Sequence, residues 1–131
     1  MHPFDRQRFD EQVDKVLAGL PSQIHELLDR VPMHVEDFPS EEVMTDRRVT
    51  HRDDLCGLYT GIPLTHRSIE HSGTLPDVIT IYREGILRAA ADRRGHIRNE
   101  RLRDEIRITI LHELGHHHGM TEDDLREMGY G

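Results

Sequence analysis

Positions 112 to 122 read HELGHHHGMTE, and three of these side chains, His112, Glu113 and His116, have the types and spacing for hydrolysis at a metal ion. At about 100° per residue, His116 lies about 40° round a helix from His112 and one turn further on, so both imidazoles can meet one ion. Glu113 projects from the adjoining flank, where its carboxylate reaches a metal-held water without ligating the metal. Spacing therefore predicts two ligands and a general base. Imidazole and carboxylate also suit other divalent ions, and zinc is the ion this motif favours.

With 11 histidines in 131 residues, HExxH alone is weak: a shuffled chain of this composition shows it about once in twelve. The extension decides. Gly119 stands seven residues after His112 and Glu122 ten after it, completing HExxHxxGxx(H/D/E), in which the glycine lets the chain turn back and return a third ligand. Coincidence then falls to roughly one in six hundred. Glu122 is the expected third ligand, with Asp123 its nearest substitute. Capping is the competing role, because Glu122, Asp123 and Asp124 also suit the first turn of a helix.

His117 and His118 fall about 140° and 240° from His112, which places them behind the ligands or in solvent. Glu105 and Thr109 share the metal face and are candidates to support the ligands. Met128 and Tyr130 follow the site at a spacing reminiscent of a methionine turn. Met128 reads as core packing, and Tyr130 as a possible donor to a developing oxyanion. His34, His51, His66 and His71 lack ligand spacing.

These side chains need a frame. Phe9, Val13, Val16, Leu17 and Leu20 predict a helix over 6–19, ended by Pro21, and Ser22 is expected to cap a short second helix. Val31, Met33 and Val35 alternate with polar residues as a half-buried strand does, and Pro32 suggests a sheet border. Positions 39–55 read as a long loop, and Gly57 to Thr65 as two short strands turning at Thr60-Gly61. Asp77 to Arg83 is the strongest strand signal. Ile86 to Arg94 predicts a helix closed by Gly95. Asn99 is expected to cap the longer helix that carries the site to Gly119, before a short helix from Thr121 towards Met128.

Composition limits the partners. A formal net charge of -8 opposes broad affinity for nucleic acid or an anionic membrane. Eight arginines between Arg83 and Arg107 are interspersed with acids, a solvated helical face more than a phosphate-binding stripe. The single Cys56 cannot form an internal disulfide and is expected to be a packed thiol; with no apolar run of membrane or signal length, a cytoplasmic protein of one domain spanning 1–131 is predicted.

GLYTGIPLTHR, LPDVITIYREGILRA and ITILHELGHHHGMTEDDLREMGYG each resemble, in order and in similar separation, blocks of the small bacterial zincin-like metallopeptidases called minimal zincins. The resemblance implies a compact single-domain α+β fold, with a small mixed sheet packed against the active-site helix. It further implies zinc held by His112, His116 and Glu122, Glu113 as catalytic base, and a peptide or protein substrate. Two rivals remain. Ribosomal-RNA-maturing endoribonucleases place three histidines at the same offsets but lack the glutamate, and a zinc-containing binding module would keep the site with little turnover.

Overall fold

The computed structural model describes residues 1–61, 77–119 and 123. Within them the fold is α+β. Helices α1 (Pro3–Gly19), α2 (Ser22–Arg30), α3 (Glu41–Asp46), α4 (Arg83–Ala90) and α5 (Asn99–His117) accompany strands β1 (Met33–Glu36), β2 (Gly57–Thr60) and β3 (Val78–Tyr82). The strands form one mixed sheet in the order β1-β3-β2, with β1 parallel and β2 antiparallel to β3; Met33 and Tyr59 flank Ile79 from its two sides.

The central place of β3 accounts for its composition. Ile79, Thr80, Ile81 and Tyr82 are all buried, as a strand covered on both faces requires. β1, paired on one side among the described residues, alternates half-buried Met33 and Val35 with exposed His34 and Glu36. Both edges of β3 are taken, so the segment 77–83 cannot align an extended substrate as an added strand. Among the described residues β1 and β2 each pair with β3 alone.

The aliphatic core joins the sheet to α1 and α5. Phe9, Val13 and Val16 recur at helical spacing and are buried, each such burial being worth about 1.5–3 kcal/mol. α1 begins earlier than the predicted Arg6, because Pro3 needs no amide partner in the first turn and His2 Nδ1 accepts from the Phe4 amide at 3.1 Å. α5 buries Leu102, Ile106, Ile110 and Leu114 and packs against α1, α4, β2 and β3. It ends as predicted. Gly119 (φ +80) takes the left-handed conformation open to a residue without Cβ, and its amide donates to the His116 carbonyl at 2.9 Å.

Four local expectations are corrected. Ser22 does not cap α2; Pro21 does, and its carbonyl accepts from the Ile24 and His25 amides. The stretch 39–55 is not all loop, since Ser40 caps α3 by accepting from the Val43 amide at 3.2 Å. The helix predicted over Ile86 to Arg94 spans Arg83–Ala90, because the Asp92 carboxylate accepts the Arg94 and His96 amides and holds a turn there. Asn99 is the first residue of α5 and not its cap, and its Oδ1 instead accepts from Arg8 Nε at 2.7 Å. The second strand expected within 57–65 lies outside the described residues, as does all of the helix expected after Thr121 except Asp123.

Among the described residues, five of the eight arginines between Arg83 and Arg107 have partners: Arg83 with Asp10 and Asp37, Arg88 with Asp53 and Asp54, Arg101 with Glu105, Arg103 with Gln12, and Arg107 with Asp104. That pattern fits a self-paired face. No helix among the described residues is long and apolar enough to cross a membrane.

Candidate metal centre

The last two turns of α5 bring the motif together. His112 and His116, both half-buried, present their Nε2 atoms 3.1 Å apart, with ring centroids at 4.7 Å and planes at 79°. Two nitrogens each about 2.0–2.1 Å from one tetrahedral zinc ion stand about 3.3 Å apart, so the pair fits a shared ion. Glu113 is buried (7% exposed), and its Oε2 lies 3.9 Å from His112 Nε2. One donor atom from each of the three falls within 4.8 Å of the others, so distance alone admits Glu113 as a ligand as well as a base.

What seats Glu113 is a glycine on the neighbouring strand. A Cβ at Gly57 would stand 2.7 Å from Thr109 Cγ2, 3.1 Å from Glu113 Cγ and 3.2 Å from the Thr80 carbonyl oxygen. β2 therefore approaches α5 closely only because position 57 has no side chain. In sequence Gly57 reads only as the start of a strand, and its contact with Thr109 and Glu113 is not apparent there. A glycine opening a β-rich run was the available signal.

Beside His112 and Glu113 opens a cleft of about 240 Å³, whose lining includes Cys56, Gly57, Glu105 and Thr109. Burial pushes the Cys56 thiol up to about 11, with the carboxylates of Glu105 and Glu113 adding to the shift. A thiol held neutral in this way is neither a ready ligand nor a nucleophile, in keeping with the packed role expected of it. Thr109 and Glu105 do share the cleft, but their recorded bonds serve α5 itself: Thr109 Oγ1 donates to the Glu105 carbonyl at 2.8 Å, and the Glu105 carboxylate accepts from Arg101 at 3.2 Å.

His117 is buried on the flank of the helix that carries Glu113, its Nδ1 3.4 Å from Tyr59 Oη and 3.8 Å from Asp77 Oδ2, while His118 is exposed. Neither Tyr59 nor Asp77 was singled out from sequence, since nothing local marks a contact spanning 58 positions. Glu122, Met128, Tyr130, His66 and His71 lie outside the described residues; Asp123 is described and exposed. His34 and His51 are exposed and belong to no metal-sized cluster among the described residues.

A family model for zincin-like metallopeptidases matches residues 28–131, a span that holds all three strands and the whole of α5. No curated protein matches the chain.

Proposed function

Because the chain belongs to the zincin-like metallopeptidase family, we propose that it is a zinc-dependent peptidase in which His112, His116 and Glu122 hold the ion and Glu113 carries the proton. The observation behind this reading is the imidazole pair 3.1 Å apart with a buried carboxylate beside it. When bound there, zinc supplies a Lewis acid that polarises the scissile carbonyl and lowers the pKa of a water it holds to about 7.

The protein's own groups do the rest. The Glu113 carboxylate accepts a proton from the attacking water and delivers it to the leaving amine. Of the two roles its distance admits, the base is preferred, because a hydrolytic site keeps one position open for water. His117, a neighbouring imidazole that would close that position if it turned to the ion, is engaged with Tyr59 and Asp77. This favours turnover over a purely zinc-stabilised binding module. β2 aligns a peptide as an added strand, and the cleft beside Gly57 and Thr109 receives one of its side chains. The acidic balance favours a peptide or protein partner over nucleic acid, and a lone thiol fits a reducing, cytoplasmic setting.

The test is metal analysis of the intact chain followed by cleavage profiling on a peptide library, with Glu113→Gln beside wild type. The expected result is about one zinc ion per chain in both proteins and hydrolysis lowered about 10² to 10⁴-fold in the variant. Unchanged hydrolysis excludes Glu113 as base, and a wild type that binds no zinc removes the proposal.

A further inference from the structure

The last turn of α5 has a second polar side. Tyr59 Oη donates to Asp77 Oδ1 at 2.8 Å, His117 Nδ1 lies 3.4 Å from the same hydroxyl, and the Tyr59 and His117 rings meet edge to face with centroids 5.6 Å apart. Tyr59 and His117 are buried, and the Asp77 side chain is only 12% exposed. Polar groups in such a place are costly unless they satisfy one another, and aliphatic residues would join strand to helix as firmly. What aliphatic packing lacks is direction.

The spacing shows what that direction serves. Gly57 and Tyr59 are two residues apart on one face of β2, a separation of about 6.6 Å. Glu113 and His117 are four apart on one side of α5, about 6.0 Å. The strand meets the helix at both places, Gly57 against Glu113 and Tyr59 against His117. Two matched contacts fix both the height and the rotation of the turn, and His116 lies between them in sequence.

We propose that Tyr59, Asp77 and His117 are positioning residues for the metal centre, their network setting the rotation of the last turn of α5 so that His116 meets His112 at one ion. This rests on the reading of His112 and His116 as ligands. The intact wild-type chain, Tyr59→Phe, His117→Leu and His117→Asn are titrated with zinc against a chromophoric chelator. The same four are titrated with cobalt(II), whose visible absorption reports coordination geometry. Tyr59→Phe and His117→Leu should weaken zinc binding about tenfold to a hundredfold and alter the cobalt bands. His117→Asn, whose amide nitrogen falls where Nδ1 stands, should recover most of that affinity, and metal-free Tyr59→Phe should keep the wild-type circular dichroism, with its melting lowered by only a few degrees. Equal affinities and unchanged bands in all four proteins overturn the inference and leave the peptidase reading standing. A metal-free Tyr59→Phe protein that has lost its fold overturns it too, since the network is then merely structural. A wild type that binds neither metal overturns the peptidase reading and this inference together.

Discussion

From Asn99 to Ile110, α5 is seated mainly by aliphatic side chains, with Leu102, Ile106 and Ile110 wholly buried; from Leu111 to His117 a single core leucine, Leu114, is joined by the close approach of Gly57 to Glu113 and by the Tyr59, Asp77 and His117 network. The first kind of contact is large in energy and indifferent to angle. The second is small, about 0.5–1.5 kcal/mol net for each hydrogen bond, and strict in geometry. Imidazoles that share an ion, as proposed for His112 and His116, need the strict kind. The comparison teaches that stability and chemical precision are drawn from different ends of one helix.

Substitutions in the two halves should therefore separate stability from chemistry. The largest stability effect is expected in the first half: Ile106→Ala should cost about 2–5 kcal/mol in denaturant unfolding, while the molecules still folded bind zinc as wild type does. A matching loss of zinc affinity below the melting temperature would break the division. In the second half, Gly57→Ala should cost about 1–3 kcal/mol through its clash with Thr109 and Glu113. Its hydrolysis should nevertheless fall about tenfold to a hundredfold, as steady-state kinetics on a cleaved peptide would report.

Acid should act away from both halves, where α1, β1 and α4 meet. The Arg6 guanidinium, hydrogen-bonded to Asp37 and aided by Arg83, holds the Asp37 carboxyl below its ordinary range. A group whose folded pKa is depressed stabilises fully above its unfolded value, about 3.9, and loses that contribution as pH falls through the folded value. Asp37→Asn should thus flatten the acid limb of the stability curve below about pH 4, read by urea unfolding at several pH values. The smallest effect belongs to the exposed Arg107 and Asp104 pair, where Asp104→Ala should change stability by less than about 0.5 kcal/mol.

Much of this was legible in the sequence, for reasons that particular residues make plain. The period of Phe9, Val13 and Val16 and that of Leu102, Ile106 and Ile110 announced the two long helices, because burial of one face leaves a repeating mark. Ile79 and Ile81 announced the central strand, and the spacing of His112 and His116 announced their meeting. Caps were less legible. Ser22 and Asn99 have the right chemistry, but Pro21 takes the first role, and Arg8, 91 positions away, takes the Asn99 oxygen. The partnership of Tyr59 and Asp77 with His117 left no mark, since it depends on β2 lying against α5 and not on any local pattern.

The docking of α1 on α5 bears on the order of events in folding. Arg8 bonds to Asn99 and Arg103 to Gln12, both across 91 positions. Such contacts are rewarded only after a long loop has closed, which slows assembly relative to a chain of local contacts. The carrier of the two imidazoles is thus settled late, and cation capture during refolding should share the rate constant of the slowest collapse step. A stopped-flow trace of metal uptake would show a single phase that follows the far-ultraviolet signal and does not precede it.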